Sequence, residues 1–134
     1  MKNIIILFAM TLLTTNMLAQ EKEVVQQADY EFCESVKGFL NSLEALDQAN
    51  ETGSLDDLNK AYKKADKAWD KMEKKAAKLE KVDIKESVKA YNKLVKSVNK
   101  IEGDEKTVDD ADQINGNIDS TVSEIENILN VVCK

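Results

Sequence analysis

Cysteine and lysine are the two residue types in this chain whose placement points to chemistry. Cys33 and Cys133 are the only cysteines. A redox-active pair needs C-x-x-C spacing, which is absent. Two cysteines 100 positions apart instead read as one structural disulfide. In the chain-entropy account, closing a loop of about 100 residues is worth roughly 4.7 kcal/mol, comparable to the whole stability of a small domain. The lysines are the second feature. The chain has no arginine, so its 19 basic residues are all lysines. Lysine offers mobile point charges rather than the bidentate fork that suits a single phosphate. Lys63, Lys67, Lys71, Lys85, Lys89 and Lys93 form the candidate face for an anionic partner.

Other chemistry is excluded by what is missing. The chain has no histidine, so no serine or threonine has a histidine base to activate it. A di-iron bundle needs Glu-x-x-His, and haem is disfavoured because there is no histidine and no C-x-x-C-H, with Met72 the one methionine left after cleavage. There is no Gly-rich phosphate loop. The acidic stretch 109–119 fails as an EF-hand: with Gly116 at loop position six, positions one and twelve fall on Ala111 and Val122, neither a ligand. Asn50-Glu51-Thr52 fits a glycosylation acceptor pattern. Nothing here assigns a catalytic residue, a cofactor or a metal ligand, and a non-enzymatic protein is expected. Nucleic acid is disfavoured as a partner, because no aromatics interleave with the lysines.

These residues sit in a chain of 134, with no proline and four glycines. So little turn chemistry argues against many short strands. With 43% of residues hydrophobic and 33% charged, the composition is that of a folded chain. Residues 1–19 read as a secretory signal peptide: Lys2 is the positive start, Ile4 to Leu13 the apolar run, and Met17-Leu18-Ala19 the cleavage region. That run is about half of what spanning a bilayer requires, roughly twenty residues. The mature part, 20–134, is then one domain, periplasmic or extracellular, and not integral to a membrane after cleavage. Export also supplies the oxidising compartment that a disulfide needs.

Four amphipathic segments fill the mature part. Val25, Phe32, Val36, Phe39, Leu43 and Leu46 draw one stripe over 24–49. Leu55, Leu58, Tyr62, Ala65, Trp69, Met72, Ala76 and Leu79 alternate steps of three and four without a miss. Ser54 and Asp57 before them read as a capping box, and Asp83 with Glu86 offers a similar pair. Ile84, Val88, Tyr91, Val95 and Val98 carry a third stripe, ending at Gly103; Ile114, Ile118, Val122, Ile125, Leu129 and Val132 carry a fourth. The pattern predicts an all-α, antiparallel up-down-up-down four-helix bundle closed by the disulfide. The aromatics fall on the stripes and are expected in the core, with Ala65 and Ala76 beside Trp69 as the place where an apolar ligand cavity would open.

Charge is divided along the chain. Residues 20–53 carry eight acids and two lysines, residues 54–101 eight acids and fourteen lysines, and residues 102–134 nine acids and two lysines. If the first and last helices are neighbours, one side of the bundle is acidic and the other basic. This arrangement also favours correct helix pairing by itself.

A signal peptide, one early cysteine, one terminal cysteine and four amphipathic helices resemble small exported bacterial one-disulfide helical-bundle proteins of uncharacterised function. The resemblance implies the bundle and carries no functional residue. The expected function is an interaction module of the periplasm or exterior. A carrier of a small apolar ligand in the core is one alternative, and a binder of anionic surfaces through the lysine-rich middle helices is another. Counting helical rise between the two cysteines also predicts a break within 113–118, at Asn115-Gly116-Asn117, with Val108, Ala111 and Ile114 turning over the end of the bundle.

Overall fold

The computed structural model describes residues 10–101 and 106–133, with side chains from residue 27. The described residues are helical, with no strand among them: α1 (Met10–Thr52), α2 (Leu55–Ala76), α3 (Lys85–Asn99) and α4 (Val108–Val132). Residues 1–9 of the expected export segment lie outside the described residues, as does Gly103. Residues 10–19 are continuous with α1.

Local chemistry explains the helix ends. Gly53 follows α1, where a Cβ would sit 2.8 Å from the Ala49 carbonyl oxygen and 2.9 Å from Asp57 Cβ. Only glycine admits that approach. The Ser54–Asp57 capping box forms in both directions. Asp83 instead accepts a hydrogen bond from the Lys85 amide, 2.9 Å, and the N-cap of α3 is Ile84 with no side-chain bond. Thr107 and Asp110 make a second complete capping box at the start of α4. Its T-x-x-D signature is in the sequence, as plain as S-x-x-D before α2.

The stripes become one core. Phe32, Val36, Phe39, Leu43 and Leu46 of α1 are fully buried, with Leu58 and Met72 of α2, Leu94 of α3, and Ile114 and Ile125 of α4. On α4 the buried line runs Ile114, Ile118, Thr121, Ile125 and Ile128, while Val122, Leu129 and Val132 are half-buried flanks. A hydroxyl at 121 masks this line in the sequence. Thr121 Oγ1 donates to the Asn117 carbonyl 2.7 Å away, so the polar group is satisfied within its own helix and the methyl can pack inward.

Helix α4 is unbroken from Val108 to Val132, so the break expected at 113–118 does not form. Gly116 lies inside the helix with nothing within 4 Å of its Cβ position. The 107–114 region is the first part of α4, with Val108 exposed and Ile114 fully buried. Asn117 Nδ2 donates to the Lys93 carbonyl, 3.3 Å, which puts those two residues level. Counted from there, α4 begins about 13 Å along the bundle while α3 ends after about 9 Å. Lys106 and Ala111 reach Asn50, near the end of α1.

Close backbone approach joins α1 to α2, α3 to α4, and α1 to α4. Among the described residues α2 and α3 meet only through side chains. Small residues, Ser87 and Ala90, face the grooves that α3 shares with α4. Toward α2, α3 presents Tyr91, which stacks on Trp69 with ring centroids 4.5 Å apart. Two large rings hold those helices apart where small side chains let the other pair close up. The disulfide Cys33–Cys133 links α1 to the end of α4.

Candidate functional site

The six lysines expected to share one face are all exposed, and the bundle distributes them. Lys63 lines the groove between α2 and α3, beside Tyr62, Asn59 and Asn99. Lys89 and Lys93 line a different groove, between α3 and α4, together with Glu86, Asp119 and Glu124. Lys89 Nζ lies 3.5 Å from Glu86 Oε1. Lys67 and Lys71 stay on the outer surface of α2, and Lys85 opens α3.

A more coherent basic feature is the back of α2. Lys60, Lys64, Lys67, Lys71 and Lys74 follow steps of four and three, as the apolar stripe on the opposite face does. All five are exposed, and none lies within 4 Å of a carboxylate among the described residues. From Lys60 to Lys74 the ridge is about 21 Å long. Two of the five acids of α2 are directed at the α2–α3 junction, and Asp57 is engaged in the Ser54 capping box. Asp66 and Asp70 both act on the Tyr91 phenol in the α2–α3 junction, and Asp66 accepts its hydrogen bond at 2.8 Å. The four lysine pairs that do form among the described residues lie off the ridge: Lys37 with Glu34, Lys89 with Glu86, Lys75 with Glu31 at 3.3 Å, and Lys81 with Asp29 at 2.6 Å. Stripe periodicity applied to lysine rather than to apolar residues would have located this ridge in the sequence.

The opposite side is acidic. Asp47 of α1 is half-buried, and its carboxyl is held above the ordinary carboxylate value, first by burial and then by Glu51 and by Asp119 of α4. The stretch 109–119 is helical, and no group of three carboxylates close enough to hold a metal occurs among the described residues.

The place beside Trp69 is filled by rings. Phe39 and Tyr91 lie 5.3 Å and 4.5 Å from it, and Phe39 meets Tyr91 edge-on at 5.5 Å. A cavity of about 270 Å³ lies instead at the disulfide end, between the α2–α3 connection, the first turn of α3 and the last turns of α4. The glycosylation pattern is closed off by folding: Asn50 is 3% exposed, and its amide donates to the Ala111 carbonyl at 3.0 Å. Lys106 in turn donates to the Asn50 carbonyl and side-chain oxygens, satisfying an orphan acceptor at the end of α1.

No helix among the described residues is long and apolar enough to cross a membrane. No protein-family model, curated protein or solved structure matches the chain.

Proposed function

We propose that this chain is an exported, non-enzymatic interaction module, an antiparallel up-down-up-down bundle that docks on an anionic membrane surface through the lysine ridge of α2. The observation that carries the reading is the ridge itself: five exposed lysines at helical spacing, none with a carboxylate partner among the described residues. Aligned charge left unneutralised on one face attracts anionic headgroups, at about 1 kcal/mol per lysine near such a surface. The apolar face of α2 is committed to the core, so docking is electrostatic and needs no insertion. Leu58, Ala65, Trp69 and Met72 anchor that face and keep the ridge outward.

The experiment is co-sedimentation with vesicles of phosphatidylglycerol and phosphatidylcholine in equal parts, at low and at high salt. The native chain binds at low salt and is released by salt, because exposed charges are screened over about 10 Å at 0.1 M. Reversal at Lys64, Lys67, Lys71 and Lys74 to Glu abolishes binding, and reversal at Lys85, Lys89 and Lys93 leaves most of it. Binding that survives the α2 reversal, or no binding by the native chain at low salt, overturns the reading.

A further inference from the structure

We propose that the cavity at the disulfide end of the bundle binds a small organic cation, a protonated amine carrying a short apolar group. This site is separate from the α2 ridge and does not rest on the surface-binding reading. Its apolar wall is Ile128, Val131 and Val132 of α4, and Val131 is 78% exposed although it is a large hydrophobic residue. Facing that wall are Ser87 and Glu86 of α3 and Asp83 of the preceding connection.

Ser87 is the unusual member. It is 1% exposed and lines the cavity, and it makes none of the side-chain hydrogen bonds found among the described residues, although the fully enclosed unpaired oxygens are those of Asp29 and Asp47 rather than its own. The other two buried serines, Ser35 and Ser97, both donate to the carbonyl three residues earlier. A hydroxyl that opens on a cavity without a protein partner is free to meet a ligand or a water.

The charges decide which ligand. The one lysine of the lining, Lys81, is held by Asp29 at 2.6 Å. Asp83 is engaged with the Lys85 amide and Glu86 lies near Lys89. Glu124, half-buried on α4, has no ion-pair partner among the described residues. Three carboxylates against one neutralised lysine repel an anion. The last turn of α4, which ends here, contains no basic residue of its own, and a helix C-terminus favours a cation. A neutral apolar ligand fits the wall but leaves Ser87 and Glu124 desolvated without partners. An ammonium group donates to both while its apolar part covers Ile128 and Val131. At about 270 Å³ the cavity lies just under the usual range of small-molecule sites, about 300–1,000 Å³, which limits the apolar part to a short chain or one ring.

The test follows the methyl resonances of Ile128, Val131 and Val132 in the full chain at neutral pH, titrated separately with hexylamine, hexanol and hexanoate. Hexylamine is expected to shift these methyls saturably, hexanol more weakly, and hexanoate not at all. Glu124→Gln should weaken hexylamine by about tenfold, and Ser87→Ala should weaken it with the methyl spectrum otherwise native. Reversal of the α2 lysines should leave this binding unchanged. Hexanol binding as tightly as hexylamine, hexanoate competing with it, or no saturable shift with the amine overturns the proposal.

Discussion

Tyr91 donates its phenolic hydrogen to Asp66, Oη to Oδ1 2.8 Å, across the junction where α2 and α3 meet without close backbone approach. The same ring stacks on Trp69. One residue therefore supplies both the apolar and the polar contact that join the two halves of the lysine-rich region.

Burial pushes the Tyr91 phenol far above its ordinary value, and the Asp66 hydrogen bond and charge add to the shift. The folded chain thus holds this proton more tightly than the unfolded chain. Its contribution to stability is complete below about pH 10, where a free phenol ionises, and is lost as pH rises further. Urea unfolding should show a steep loss of stability above that pH, and Tyr91→Phe should flatten it, with Tyr62 supplying what remains. At neutral pH Tyr91→Phe should cost about 1–2 kcal/mol. A double-mutant cycle with Asp66→Ala, which removes the acceptor, should return most of that as coupling; additive single effects would show that the bond contributes nothing.

Gly116 and Gly53 should respond to alanine with opposite signs. Gly116 is inside α4 with open space around its Cβ position, so Gly116→Ala should stabilise by about 0.5–1 kcal/mol through the lower entropy of the unfolded chain. At Gly53 the new Cβ meets the Ala49 carbonyl at 2.8 Å, and Gly53→Ala should destabilise. Thermal unfolding of both variants measures this. A loss of stability at 116 would place a break there after all.

Asp47 should be a small liability at neutral pH. Burial, then Glu51 and Asp119, oppose its ionisation, so the folded chain keeps that proton to a higher pH than the unfolded chain. The group's contribution is fully present below about pH 4 and is lost as pH rises through the folded value. Asp47→Asn should therefore stabilise by roughly 0.5 kcal/mol or less at pH 7, with no gain below pH 4. Equal effects at both pH values would rule out the electrostatic cause.

The disulfide should dominate stability. Protein recovered from an oxidising compartment should show no titratable thiol when denatured without reductant; two thiols per chain would contradict the bond. Replacing Cys33 and Cys133 together with serine should cost about 3–5 kcal/mol, since the bond closes nearly the whole domain into one loop. Chemical unfolding of the variant checks the size.

Much of the fold is legible in the sequence because helical periodicity is a local property. The buried faces of α1 and α2 follow directly from their three-four steps, and S-x-x-D fixes where α2 begins. The single possible cysteine pairing is a matter of counting. The α4 face is harder to read, because Thr121 looks polar until its own helix satisfies the hydroxyl. Asn115-Gly116-Asn117 looks like a break because glycine and asparagine are weak helix formers, but α4 is held on both sides of them by Ile114 and Ile118 in the core. Packing outweighs the roughly 1 kcal/mol that one glycine costs. Which lysines stand together depends on how each helix is rotated in the bundle. That rotation is set by partners far apart in sequence: Trp69 with Tyr91 fixes α2 against α3, while Ser87 and Ala90 let α4 close on the other side. Local pattern tells each helix which face to bury, and only long-range contact decides what the exposed faces share.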